Sequence, residues 1–93
     1  MSTALQPSSQ PRLASHVRLG FDRARKQYML QVPESATVLN LTGATTLHLC
    51  DGRRTVAEIV EKLRDRYDHV ADDDVANFLA RLVAKRWVEL GGD

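Results

Sequence analysis

The sequence predicts an α+β fold in which a three-stranded antiparallel sheet is followed by a unit of three helices. Between residues 16 and 41, apolar and polar residues alternate along three short segments, a pattern typical of half-buried strands. From residue 43 onward, apolar residues recur every three or four positions, as they do in amphipathic helices. Because 93 residues with 43% hydrophobic content suffice for one core, we expect a single domain over residues 15–91.

The first two predicted strands form a β-hairpin. Their alternating apolar residues are Val17, Leu19 and Phe21, then Tyr28, Leu30 and Val32. The basic segment Arg23–Lys26 connects the two strands, and Pro33 ends the second because it cannot donate a ladder hydrogen bond. A third short strand is predicted over Thr37–Leu41, with Val38 on its outward side.

Three helices are predicted in the second half of the chain. The first is expected over Gly43–Asp51, with Thr42 as its N-cap. The second spans Val56–Tyr67 and begins with the capping-box sequence Thr-Val-Ala-Glu. The third begins at one of the residues Asp72–Asp74, since acidic residues at a helix start suit the helix dipole. A short extended piece, Trp87–Leu90, follows it.

The N-terminal residues 1–14 are predicted to form a flexible tail, because they are rich in Ser, Gln and Pro and lack a periodic apolar face. No apolar run has the length of a signal peptide or a membrane span, so we expect a cytoplasmic protein without a membrane partner. The net charge of +1 lacks the basic excess typical of nucleic-acid binders.

No catalytic or metal-binding cluster is predicted. Cys50, the single cysteine, cannot form an internal disulfide. His48 lies two positions before it on a predicted helix, so the two side chains point about 200° apart and cannot share a metal ion. The acidic run Asp72–Asp74 is explained by its place at a helix start. We therefore expect a binding protein without a cofactor rather than an enzyme.

Several short motifs together give the chain a specific signature. They are Pro33-Glu34, Leu39–Ala44, Leu49–Gly52 followed by Thr55–Ile59, and Asp74-Val75 with Phe78-Leu79. With these motifs the chain resembles, from about Leu13 to Leu90, the family of pyrroloquinoline quinone (PQQ) biosynthesis protein D, PqqD. The resemblance implies a winged-helix-like module called a RiPP recognition element, which binds the leader of a ribosomally synthesised and post-translationally modified peptide (RiPP).

The resemblance also implies partners and a site. In that family, a cofactor-free chaperone binds the precursor peptide PqqA and presents it to the radical S-adenosylmethionine (SAM) enzyme PqqE. The peptide lies as an added strand beside the third strand and against the third helix. The implied peptide-binding residues are Thr37, Val38, Leu39, Asn40, Leu41, Phe78, Arg81, Leu82 and Lys85.

Elementary physical chemistry is compatible with that site. An edge strand offers unpaired backbone groups to an extended peptide, and adjacent pockets provide selectivity. Arg81 and Lys85 would attract an acidic leader. The ordinary alternatives are that Val38 fills a second packing face or a dimer contact, that Phe78 belongs to the core, and that the two cations form a solvated face.

Two other functions compete with peptide binding. A winged-helix DNA-binding protein has a similar outline, but here the carboxylates Asp72–Asp74 would oppose phosphate. A homo-oligomeric structural adaptor would pair its edge strands or exchange hairpins through Pro33–Ser35, giving a homodimer. If an enzyme partner binds, exposure and charge suggest Arg23–Lys26 and Arg53-Arg54 as the facing surface.

Overall fold

The computed structural model describes residues 5–91, and within that range it contains five strands and three helices. In chain order the elements are β1 Gln10–Leu13, β2 Arg18–Asp22, β3 Gln27–Val32, β4 Ser35–Leu39, α1 Leu41–His48, α2 Val56–Arg66, α3 Asp72–Ala84 and β5 Val88–Gly91. A three-stranded antiparallel sheet is followed by three helices, so the predicted fold class is confirmed.

The main sheet has the strand order β2-β3-β4, with both neighbouring pairs antiparallel. At the β2–β3 turn, the carboxylate of Asp22 accepts hydrogen bonds from the backbone N–H groups of Ala24 and Arg25, at 3.0 and 3.3 Å. Pro33 and Glu34 form the tight connection between β3 and β4. Since β4 is the last strand in this order, one side of its backbone has no partner strand among the described residues.

The core lies between one face of this sheet and the three helices. Its most deeply buried apolar side chains are Leu30, Leu47, Ile59, Leu63, Leu79 and Val88. Ala44 and Leu47 of α1 are buried in this core, as is Cys50 just after the helix. No helix within residues 5–91 is long and apolar enough to cross a bilayer.

The expected tail over residues 1–14 differs from the structure, in which Gln10–Leu13 forms strand β1. This strand pairs antiparallel with β5, and Arg12 makes a 3.2 Å ion pair with Glu89 across the pairing. Just before it, backbone carbonyls of Pro7 and Ser9 accept hydrogen bonds from the first N–H groups of α2. Pairing with residues far along the chain, rather than local periodicity, orders this segment. Residues 1–4 lie outside the described part.

The start of α1 also differs from prediction. The helix begins at Leu41 instead of Gly43, and its N-cap is Asn40 instead of Thr42. The Asn40 side chain accepts a 2.7 Å hydrogen bond from the backbone N–H of Gly43. The third strand therefore ends at Leu39, two residues earlier than predicted, because the chain enters the helix there. The capping box at the start of α2 is confirmed.

Candidate functional site

A cleft of about 300 Å³ opens between the start of α1, the loop that joins α2 to α3, and the first half of α3. Three residues of the predicted site, Asn40, Phe78 and Arg81, line this cleft. Its walls are Asn40, Thr42, Gly43 and Thr46 from the α1 side, residues 67–71 from the loop, and Asp74, Val75, Phe78 and Arg81 from α3.

The α1 wall depends on a glycine. A Cβ atom at Gly43 would lie 2.9 Å from the Asn40 side-chain oxygen and 3.4 Å from Cζ of Phe78. The absence of a side chain thus permits both the N-cap hydrogen bond and the close approach of the Phe78 ring. Phe78 is partly buried against the core and also lines the cleft, so it connects α3 to the first turn of α1.

The α2–α3 loop is held from both sides. Arg64, in the last turn of α2, donates a hydrogen bond from Nε to the carbonyl of Val70 and forms an ion pair with Asp72. The hydroxyl groups of Tyr67 and Thr45 lie 3.0 Å apart and form a hydrogen bond between the loop and α1. These contacts fix the loop as a wall of the cleft.

The cleft has mixed charge. Arg81 is the cation that lines it from α3, and the carboxylates of Asp68 and Asp74 line it as well. None of the three makes an ion pair among the described residues. Their charged groups are therefore available to a ligand, and a peptide with both signs of charge suits them better than a uniformly acidic one.

The open strand β4 leads directly into this cleft. The side chain of Val38 is 53% exposed, on the sheet face that points away from the core, with Met29 as its cross-strand neighbour. Leu41, at the first position of α1, is 56% exposed. Asn40 lies between them and forms part of the cleft wall. Unpaired backbone, exposed apolar side chains and a cleft thus adjoin each other.

The predicted site residues fall into three groups. Asn40, Phe78 and Arg81 line the cleft. Thr37, Val38 and Leu41 are exposed on β4 or just after it. The side chains of Leu39 and Leu82 are buried in the core, and Lys85 lies beyond the cleft with its ammonium 4.7 Å from the Trp87 ring centroid.

Sequence reasoning missed the α2–α3 loop, residues 67–71, and the glycine at position 43. The loop carries His69 in the left-handed backbone region, at φ 60°. The sequence does show a non-periodic segment between two strongly periodic helices, which indicates a loop. It does not indicate that this loop faces α1. Asp74 was assigned to the helix start, where it lies, and it lines the cleft as well.

The remaining reactive groups serve structure. The Cys50 thiol donates to the carbonyl of Thr46 at 3.2 Å, and burial, with a smaller effect of Asp51, raises its pKa to about 12. Asp51 accepts backbone hydrogen bonds from Arg53 and Arg54, which hold its pKa below the usual range. Within residues 5–91, no three His, Cys, Asp or Glu side chains are grouped as metal ligands would be.

Solved structures define the class of this fold. The solution NMR structure of the PqqD truncation of Methylobacterium extorquens PqqCD matches with a TM-score of 0.79 and 37% identity, covering 95% of this chain and 97% of that one. That protein is described as a functional and stand-alone RiPP recognition element. A part of the heterocyclase TruD has the same fold, with a TM-score of 0.64 at 23% identity, over 88% of this chain and 11% of that one. The fold is that of a RiPP recognition element.

Sequence comparisons identify the family. The sequence-family model of coenzyme PQQ synthesis protein D (PqqD) matches residues 27–88 of this chain. The PqqA binding protein of Methylococcus capsulatus is 33% identical over 91% of this chain and 92% of its own length. That of Pseudomonas paraeruginosa is 39% identical over 88% of this chain and 91% of its own. The chain belongs to the PqqD family, and the prediction of a binding protein rather than an enzyme is confirmed.

Proposed function

We propose that this chain binds the precursor peptide PqqA and presents it to the radical SAM enzyme PqqE during PQQ synthesis. The family and the relatives named PqqA binding protein support the identity of the peptide. One observation carries the proposal for the site. The open strand β4 ends at Leu39, and the next residue, Asn40, forms the wall of the cleft.

In this proposal the peptide extends the sheet by pairing with β4. Backbone hydrogen bonds along an edge strand accept any extended sequence, so they provide binding but little selectivity. Selectivity then comes from side chains of the peptide that contact Val38 and Leu41 or enter the cleft. A volume of about 300 Å³ is at the small end for ligand pockets, which suits one or two side chains.

Amide chemical-shift titration of the labelled chain with PqqA tests this proposal. The expected shifts affect residues 36–41, the loop 67–71 and the first half of α3, and they saturate together. Addition of PqqE to the saturated complex is expected to broaden the signals without releasing the peptide. Shifts confined to β1 and β5 would refute the proposed site.

Two rival functions are distinguished by parallel measurements. A homodimer through β4 would compete with the peptide, so light scattering should show any dimer dissociating as PqqA is added. A dimer that PqqA leaves intact would contradict the β4 site. Duplex DNA is expected to cause no shifts in α3, because its first turn contains Asp72, Asp73 and Asp74.

A further inference from the structure

A second concave surface lies on the other side of α1 from the cleft. It is a recess of about 280 Å³ between the helix-facing side of the main sheet, one side of α1 and the C-terminal end of α2. Its lining residues are Leu19, Tyr28, Ala44, Thr45, His48 and Arg66. None of them lines the cleft, so both surfaces can be occupied at the same time.

Two exposed aromatic rings extend this recess toward the end of the β2–β3 hairpin. Phe21 is 50% exposed and Tyr28 is 36% exposed. They are cross-strand neighbours, with ring centroids 4.8 Å apart and an edge-to-face angle of 65°. Adjacent exposed aromatic side chains on a small protein are typical of a protein-binding surface, where such residues contribute most of the affinity.

Positive charge surrounds these rings. The hairpin loop contributes Arg23, Arg25 and Lys26, and the end of α2 contributes Arg66. The neighbouring carboxylate, Asp22, accepts two backbone hydrogen bonds within the loop and lies 4.0 Å from Arg25. Arg23, Lys26 and Arg66 make no ion pair within residues 5–91. The surface therefore suits a partner with carboxylates around an apolar contact.

We propose that this hairpin surface, formed by Phe21, Arg23, Lys26, Tyr28 and Arg66, docks the enzyme that receives the peptide. The contact is an acidic segment of that enzyme with an apolar side chain directed at the aromatic pair. This inference rests on the proposed function, since it assigns the second partner of the same complex. Because α1 separates the recess from the cleft, the enzyme binds while the peptide stays on β4.

The test compares one double variant with a matched control. Phe21→Ala with Arg66→Glu removes the exposed ring and reverses a charge at the recess. Arg53→Glu makes the same charge reversal in the loop before α2, the other segment that exposure and charge suggested as enzyme-facing, and Arg53 lines neither the recess nor the cleft. Affinities for PqqA and for PqqE are each measured by calorimetry, and amide spectra verify folding.

The double variant is expected to bind PqqE at least about tenfold more weakly. Its affinity for PqqA should stay within about twofold of the unmodified chain, because distant sites act independently. Arg53→Glu should change neither. If the double variant misfolds, Arg23→Glu with Arg66→Glu, which keeps both rings, replaces it with the same expectation.

Each contrary result has its own meaning. If the unmodified chain does not bind PqqA, the proposed function fails. This inference fails, while peptide binding stands, if the unmodified chain binds PqqA but not PqqE. It also fails if the double variant binds PqqE as tightly as the unmodified chain does, or if Arg53→Glu weakens PqqE binding equally. The inference would also be overturned if the hairpin surface bound duplex DNA with a steep salt dependence and the substitutions left PqqE binding unaffected.

Discussion

Val38→Asp probes the proposed strand addition at the middle of the open edge. Val38 lies on β4, is 53% exposed, and has Met29 as its neighbour across the pairing with β3. In the free protein the new carboxylate remains in water. We expect the free energy of unfolding to fall by no more than about 1 kcal/mol, since strand propensities span about that range.

The loss in peptide affinity is expected to be larger. A paired strand beside β4 would cover the half of the Val38 side chain that is exposed. Complete burial of an aliphatic side chain contributes roughly 1.5–3 kcal/mol, so this half contributes about 1 kcal/mol. An aspartate forfeits that contribution and adds about 1 kcal/mol for incomplete solvation of its carboxylate. The sum of about 2 kcal/mol corresponds to a dissociation constant about thirtyfold higher.

Gly20→Asp is the matched control. Gly20 is the neighbour of Met29 on β2, so it occupies the corresponding place on the opposite edge of the sheet. A Cβ atom there meets nothing within 4 Å. Both substitutions add one negative charge, and any long-range effect on the peptide is therefore similar.

Calorimetry with PqqA measures affinity, and urea denaturation followed by Trp87 fluorescence measures stability. We expect a large loss of affinity for Val38→Asp and little change for Gly20→Asp. Equal weakening by both variants would indicate that net charge, not strand pairing, governs affinity. Unchanged affinity in Val38→Asp would exclude β4 as the docking edge.

Arg81→Glu should weaken PqqA binding about fivefold and reduce the salt dependence of that binding. Lys85 lies outside the cleft, so Lys85→Glu should change the affinity less than about twofold. Calorimetry at two salt concentrations checks both expectations. Cys50, whose buried thiol has its pKa raised to about 12, should be alkylated only after denaturation, as mass spectrometry would show. The hydrogen bond from the backbone N–H of Thr55 is the main cause of the lowered pKa of Glu58. The ionised Glu58 side chain therefore stabilises the folded protein above about pH 4, and this contribution is lost as the pH falls through the lowered pKa. The urea concentration at the unfolding midpoint should therefore fall at low pH, and it should fall less in Glu58→Gln than in the unmodified chain.

The parts of the fold that sequence predicted are those with strong local signals. The apolar period of α2 and the capping box of Thr55 and Glu58 lie within one segment, and both are present in the structure. The alternation in β2 and β3 likewise requires only neighbouring residues. Such signals do not depend on what the rest of the chain does.

Elements fixed by distant contacts were not predicted. Strand β1 forms because it pairs with β5 at the other end of the domain, and nothing in its Pro-containing sequence alternates. Asn40 and Thr42 are both suitable N-caps, and local preference does not choose between them. The choice of Asn40 is consistent with the fit of Gly43 against Phe78, a contact between α1 and α3 that only the tertiary structure supplies.

The site was predicted in part for the same reason. The exposure of Val38 follows from its parity in an alternating strand, so the sequence indicates it. The alternation along β4 also predicts the burial of Leu39, and the helical period of α3 predicts the burial of Leu82. The family resemblance nevertheless places both among the peptide-binding residues. The loop 67–71 has no period, and its place in the cleft depends on Arg64 and on Tyr67, which fasten it to α2 and α1.

The short length of β4 limits what its backbone can contribute to binding. Only alternate residues of Ser35–Leu39 direct their N–H and C=O groups outward, which allows at most about six hydrogen bonds to a peptide. At a net value of about 1 kcal/mol each, they contribute about 6 kcal/mol in total, which offsets only the lower part of the roughly 4–15 kcal/mol cost of association. Side chains at Val38, Leu41 and the cleft must therefore provide the surplus. Consequently we expect substitutions there, rather than changes along the backbone edge, to determine which peptide is bound.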